Sequence, residues 1–106
     1  MEYTIIEVPD MNDSVSRVVL AGTAYHIRFT WIDSAGYWTF GLYDTQNNPI
    51  VIGAKIVPRF PINVFYSLTR MPTGIFGVMT KLDRIGRNDF TEGNAQFIFC
   101  PVEIRS

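Results

Sequence analysis

The sequence contains few of the residues that bind metals or form covalent intermediates. Its 106 residues include one cysteine, Cys100, and one histidine, His26. A structural zinc site uses four nitrogen or sulfur ligands, so this chain lacks the residues for one. A single cysteine also excludes an intrachain disulfide. A glycine-rich phosphate loop and a G-x-S-x-G nucleophile motif are missing. We therefore predict no metal, no cofactor and no enzyme activity.

The reactive side chains that do occur are typical of structural positions. Cys100 lies in the apolar stretch FIFCPV, where a thiol behaves as a small hydrophobic side chain. His26 falls on the polar side of a predicted strand, which indicates an ordinary surface histidine. Four aspartates occur where the sequence predicts turns, and we expect them to stabilise the local backbone. They are Asp33, Asp44, Asp83 and Asp89.

No excess of positive charge is present to bind nucleic acid. Nine basic and ten acidic residues give a formal net charge of −1, whereas nucleic-acid-binding proteins usually carry a basic surface. The basic cluster KLDRIGR contains Lys81, Arg84 and Arg87, and Asp83 and Asp89 offset its charge. We predict a solvated loop of mixed sign and no nucleic-acid partner. Single-stranded nucleic acid stays an alternative ligand, because exposed aromatic side chains on a small barrel can stack on bases.

Long apolar runs are missing as well. No run approaches the ~18 residues of a transmembrane helix, so we expect no membrane partner. The first residues, MEYTIIEV, lack the basic region and the long apolar core of a signal peptide, and we expect a cytosolic protein. A chain of 106 residues has the length of one domain. We predict a single β domain over residues 1–106.

Aromatic residues, by contrast, are abundant at 14%, and many of them alternate with other residues. In the stretches 25–32 and 37–42, every second residue is large and apolar, which is typical of strands with one buried face. The residues DSAG (33–36) between them predict a turn. If Ile32 faces Tyr37, three apolar pairs fall on one face. These pairs are Trp31–Trp38, Phe29–Phe40 and Ile27–Leu42. A shift by one residue breaks the match, so the sequence predicts a hairpin with this register.

Further short stretches predict further strands. Alternating or apolar runs between turn residues occur at 3–8, 15–20, 50–57, 75–82 and 95–102. With the hairpin, they predict an all-β fold, a small antiparallel β-barrel or sandwich of about seven short strands. In the run at 50–57, one alternate set is Ile50, Ile52, Ala54 and Ile56, and the other is Val51, Gly53, Lys55 and Val57.

One long connection has the wrong composition for a solvated loop. Residues 58–74, PRFPINVFYSLTRMPTG, are rich in proline and in large apolar residues. A connection this long and apolar is expected to pack against another surface. Two interpretations stay open: a lid over one open end of the barrel or sandwich, or a surface that binds a partner.

The aromatic face also has two interpretations. Trp31, Trp38, Phe29 and Phe40 either pack into a solid core or line a cavity for an apolar or aromatic small ligand. A small barrel is just wide enough for its own side chains to fill, so the sequence favours a packed core. A ligand-binding barrel stays an alternative function.

Four stretches of the chain share their order and spacing with a known family. They are GTAYHIRFTW (22–31), YWTFGLYD (37–44), PIVIGAKIVP (49–58) and FIFCP (97–101). In this respect the chain resembles the small β-domain of the baseplate plug in contractile-tailed bacteriophages. The resemblance spans most of the chain, from about residue 3 to the end. The connection RFPINVFYSLTRMPTG (59–74) departs from the family pattern.

The resemblance implies a structural part of a virion. Family members are plugs or adaptors of the tail baseplate, and they pack against other tail and baseplate proteins near the hub and tail tube. This implies a prophage or phage tail protein, present in the host cytoplasm before assembly, and leaves a homo-oligomer open. The family pattern contains no catalytic residue. We predict partner-binding residues in the long connection, because aromatic and methionine side chains are enriched in interface cores. They are Phe60, Phe65, Tyr66 and Met71.

Overall fold

The described part of the chain consists of β-strands joined by turns. A computed structural model describes residues 3–58 and 74–101. These residues form seven strands and no helix, which confirms the predicted all-β class. The strands are β1 (Thr4–Ile6), β2 (Asp13–Leu20), β3 (Thr23–Ile32), β4 (Tyr37–Tyr43), β5 (Pro49–Lys55), β6 (Gly74–Thr80) and β7 (Ala95–Pro101).

The strands form two antiparallel sheets. One sheet has three strands in the order β1-β7-β6, and the other has four in the order β2-β3-β4-β5. The four-stranded sheet is a meander in which each strand pairs with the next one along the chain. Of the two predicted architectures, barrel and sandwich, the structure therefore has the sandwich.

The predicted hairpin register is correct for every pair. Strands β3 and β4 pair from His26–Tyr43 to Ile32–Tyr37, with the three predicted apolar pairs between these ends. Both turn amides at Ala35 and Gly36 donate hydrogen bonds to the Ile32 carbonyl, at 3.1 and 2.7 Å. Gly36 closes the turn with a φ of 74°, a conformation that glycine adopts without steric cost.

Aromatic rings fill the space between the two sheets. Phe97 of β7 packs edge-on against Phe29 of β3, with the ring centroids 5.3 Å apart, and against Phe40 of β4 at 5.1 Å. Phe76 of β6 lies 5.2 Å from Phe40 and 5.8 Å from Phe97. All four rings are at most 1% exposed. The packed-core interpretation is confirmed for Phe29, Phe40 and also Trp38, which is 1% exposed.

Burial departs from regular alternation at two apolar positions. Trp31 belongs to the predicted buried face, but it is only partly buried at the margin of the core, 5.5 Å from the ring of Trp38. In β5 the alternate set does not share one face, because Ile52 is 72% exposed while Ile50 is buried. The cause is a register shift between β4 and β5. Between the pairs Phe40–Ala54 and Leu42–Val51, two residues of β5 lie opposite one residue of β4, and Gly53 takes a φ of 61°.

Candidate functional surfaces

The chemically reactive side chains are apart from one another and have structural surroundings. Cys100 is 4% exposed near the end of β7, which confirms a buried, hydrophobic thiol. The ring nitrogen Nδ1 of His26 lies 3.0 Å from the side-chain oxygen of Asn47 on the exposed side of β3. Within residues 3–58 and 74–101, no group of three or more His, Cys, Asp or Glu side chains is placed to hold a metal ion.

The turn aspartates mostly do what the sequence predicts. The Asp44 carboxylate accepts hydrogen bonds from the backbone amides of Gln46 and Asn48, both at 2.9 Å, and so closes the turn before β5. Asp89 accepts one from the amide of Gly86 in the long loop between β6 and β7. Asp33 differs, because its carboxylate accepts its hydrogen bond from the indole Nε1 of Trp31 at 3.3 Å.

The basic cluster at 81–87 is divided by the fold. Lys81 is exposed. Arg84 donates to the carbonyl of Gly36 at 3.4 Å. Arg87 turns toward the N-terminal part of the chain, where its Nη1 lies 3.0 Å from Asp10 Oδ1. The three cations therefore do not form one basic patch, in agreement with the predicted loop of mixed sign.

Arg87 connects three parts of the chain at one end of the sandwich. Besides the ion pair with Asp10, its Nε donates to the side-chain oxygen of Asn12 at 2.7 Å. Its guanidinium carbon lies 5.3 Å from the ring centroid of Trp38, a cation–π geometry. Phe90 packs on the same indole at 6.3 Å. Sequence reasoning missed this contact set, because residues 10, 12, 38 and 87 are far apart in sequence.

The outer face of the four-stranded sheet carries a bidentate ion pair. Arg28 donates from Nε and Nη2 to the two carboxylate oxygens of Asp13, at 2.8 and 2.7 Å. The hydroxyl of Thr30 donates to the same carboxylate at 3.1 Å. The hydrogen bond from Arg28 lowers the pKa of Asp13, and Asp13 in turn raises the pKa of Arg28. Asp13 is thus ionised at neutral pH and largely neutralised within the chain.

A cleft lies beside the β3–β4 turn. Its volume is about 560 Å³, and it lies between the β3–β4 turn, the end of β5 and the loop after β6. Lys55 and Arg84 bring positive charge to its wall, and Asp83 brings negative charge. The Lys55 ammonium lies 4.6 Å from the centroid of the Tyr37 ring.

The predicted partner-binding residues lie outside the described residues. Phe60, Phe65, Tyr66 and Met71 all fall within 59–73. The choice between lid and partner surface for the 58–74 connection therefore stays a prediction.

Large apolar side chains are nevertheless exposed within the described residues. They include Ile5, Met11, Val15, Val19, Ile52 and Met79. Three of them, Met11, Val15 and Val19, lie on or directly before β2, at one edge of the four-stranded sheet. The alternation of β2 was visible in the sequence, but its position at a sheet edge was not.

Taken together, the fold is a small β-sandwich with a solid aromatic core and an outer surface of ion pairs and exposed apolar residues. No helix within residues 3–58 and 74–101 is long and apolar enough to cross a bilayer. A family model described as "Cyanophage baseplate Pam3 plug gp18" matches residues 1–101. The chain therefore belongs to this family of phage baseplate plugs. No curated protein matches the chain at a significant level.

Proposed function

We propose that the chain is a non-enzymatic structural protein of a phage tail baseplate, a plug or adaptor that packs against hub and tail-tube proteins. The observation that carries the proposal is the family match over residues 1–101. A virion component of this kind is made in the bacterial cytoplasm and then enters the tail. We extend the proposal to a contractile tail, from an intact phage or a prophage.

The physical character of the described residues supports this role. The core is a dense cluster of aromatic rings, which gives a rigid block. Assembly proteins need rigid shape and exposed apolar contacts more than they need reactive groups. Exposed side chains such as Ile5 and Met79 provide apolar surface of this kind.

We further propose that the 58–74 connection contributes the contact surface for a neighbouring tail protein. Its sequence places Phe60, Phe65, Tyr66 and Met71 within 12 residues, a composition that matches the centre of protein interfaces. Under this proposal these side chains bind the partner, and replacing them leaves the sandwich core unchanged.

The first experiment is mass spectrometry of purified particles. Particles from the strain that encodes the chain are treated with nuclease, banded by density and digested. We expect the chain at a few copies per particle. Intact particles that lack the chain, while the lysate contains it free, would contradict the baseplate role.

A second experiment tests the contact surface. The variants Phe65→Asp and Tyr66→Asp should be missing from particles while their unfolding midpoints stay close to that of the unmodified chain. The matched control is Ile52→Asp, which charges an apolar side chain that is 72% exposed on the described surface. If Phe65→Asp and Tyr66→Asp unfold the protein, the connection is a lid and the contact proposal is wrong.

A further inference from the structure

Within residues 3–58 and 74–101, no strand pairs with the outer edge of β2. Strand β2 is the outermost strand of the order β2-β3-β4-β5, and it pairs with β3 without a register shift over all eight residues. It contains no proline, and two of its side chains, Val15 and Val19, are 61% and 54% exposed. A long, regular edge strand with apolar side chains is a template for pairing with another strand.

Two of the other three edge strands, β5 and β1, are poor templates by comparison. Strand β5 begins at Pro49 and has two register irregularities against β4, with Gly53 at a φ of 61°. Strand β1 has only three residues. Bulges, proline and short length are the usual devices that stop edge pairing, and β2 has none of them.

The backbone groups that β2 turns outward can be assigned from its hairpin. The two-residue turn Ala21–Gly22 has positive φ angles of 51° and 81°, so Leu20 and Thr23 form the hydrogen-bonded pair that closes the hairpin. Hydrogen-bonded pairs then alternate along the strands, and the bond from Trp31 N–H to Asn12 O at 2.8 Å agrees with this phase. The odd-numbered residues of β2 therefore direct their backbone groups to the open edge.

The same odd-numbered residues carry a self-complementary pattern on the outer face. In order, the residues are Asp13, Val15, Arg17 and Val19, and all four are exposed. An antiparallel pairing of two copies about Val15 places Val15 opposite Val15 of the second copy. Asp13 then faces Arg17 on both sides of the axis. Val15 meets Val15 at the axis, and Arg17 comes opposite the Asp13 carboxylate, which also accepts hydrogen bonds from Arg28 and Thr30 of its own chain. Apolar pairs and pairs of opposite charge are the cross-strand pairs that stabilise sheets.

The inner face of β2 gives an independent argument for the same register. The hydroxyl of Ser14 is buried and has no hydrogen-bond partner, and such a group usually finds one. Pairing about Val15 places Ser14 directly opposite Ser16 of the second copy. Directly opposed hydroxyl residues of antiparallel strands can hydrogen-bond to each other, so a rotation of the Ser14 side chain would satisfy its hydroxyl.

We propose that β2 is a docking edge for a second copy of this chain, paired antiparallel about Val15. The two four-stranded sheets then form one continuous eight-stranded sheet across the two-fold axis. A single strand pair buries less than the ~1,200 Å² typical of stable complexes. The dimer is therefore weak in free solution and is favoured where copies are held close together.

Cysteine cross-linking tests the register directly. In a Cys100→Ala background, Val15→Cys places two thiols at the axis, where paired Cα atoms are about 5.5 Å apart, within the range of a disulfide. The control variants are Arg17→Cys and Val19→Cys on the same strand and face. In this register their symmetry-related Cα atoms are roughly 14 Å and 27 Å apart along the strand. We expect mild oxidation to convert Val15→Cys to a covalent dimer and to leave both controls monomeric.

Analytical ultracentrifugation tests the charge pairing without any cysteine change. We expect the unmodified chain to shift from monomer toward dimer between about 10 µM and about 1 mM. Arg17→Glu places a carboxylate opposite Asp13 twice and should raise the dissociation constant at least about 10-fold. Arg17→Lys keeps the charge and should dimerise like the unmodified chain. Lys81→Glu makes the same charge change in the loop after β6 and should also leave dimerisation unchanged.

Each result of these experiments either supports or contradicts the proposed dimer. Selective cross-linking of Val15→Cys together with weakening by Arg17→Glu supports the proposal. Cross-linking of Arg17→Cys or Val19→Cys in place of Val15→Cys overturns the register. A chain that stays monomeric at about 1 mM, or a dimer that Arg17→Glu does not weaken, contradicts the proposal that β2 docks a second copy. None of these results depends on whether the protein is found in phage particles.

Discussion

Replacing Phe97 by alanine should remove the side chain on which the two sheets meet. Phe97 is 1% exposed and contacts three other rings, Phe29, Phe40 and Phe76, with centroids 5.1 to 5.8 Å away. Phe→Ala changes in protein cores cost about 3–5 kcal/mol. Because three aromatic contacts, each contributing about 0.5–1.5 kcal/mol beyond burial, are lost together, we expect a cost near the upper end, about 4–5 kcal/mol.

The assay is urea unfolding at equilibrium, followed by tryptophan fluorescence. Trp38 is 1% exposed and Trp31 is partly buried beside it, so both report on loss of the core. A small domain is stable by about 5–15 kcal/mol, so Phe97→Ala should leave a marginal fold. Its thermal midpoint should fall by more than about 15 °C.

Two control variants grade the effect. Phe90→Ala removes a partly buried ring whose one aromatic contact within the described residues is to Trp38 at 6.3 Å, and it should cost clearly less than Phe97→Ala. Ile52→Ala changes a side chain that is 72% exposed and should change stability by less than about 0.5 kcal/mol. A loss below about 1.5 kcal/mol for Phe97→Ala, or equal losses for Phe97→Ala and Ile52→Ala, would refute the reasoning that Phe97 lies at the centre of the core.

Three smaller predictions concern the backbone and the surface ion pair. Ala21 has a φ of 51°, a conformation that strains a residue with a Cβ atom. In Ala21→Gly the loss of this strain should outweigh the entropy that glycine adds to the unfolded state, so urea unfolding should show a stabilisation of about 0.5 kcal/mol. Gly53→Ala has the opposite effect, because it adds strain at a φ of 61° although the space around the new Cβ is open. We expect a destabilisation of about 0.5–1 kcal/mol, and a stabilised variant would contradict the strain argument. The third variant, Asp13→Asn, removes the partner of Arg28 and should cost about 0.5–1 kcal/mol at neutral pH. Because folding lowers the pKa of Asp13, its contribution is fully present above about pH 5 and is lost as the pH falls through the folded-state pKa. The stability difference between Asp13→Asn and the unmodified chain should therefore shrink toward about pH 2, and a difference that grows in acid would contradict the assignment.

The sequence alone determined the β3–β4 hairpin, down to every residue pair. The reason is physical: side chains alternate with a period of two, and the large apolar residues of these strands lie on one side. A slip of one residue would turn all of them to solvent, so the pattern admits one register. The turn aspartates Asp44 and Asp89 were predictable for a related reason, because each acts within a few residues of itself.

Only the tertiary structure decided which strands meet across the sandwich and which are left open. The pairing of β1 with β7 joins the two ends of the described chain, and no local pattern encodes such a partner. The register shift in β5 exposes Ile52, although Ile50 and Ile56 of the same alternating set are buried. The contacts of Arg87 with Asp10 and Trp38 were also decided by the tertiary structure. Contacts between residues far apart in sequence depend on how the sheets pack and not on spacing along the chain.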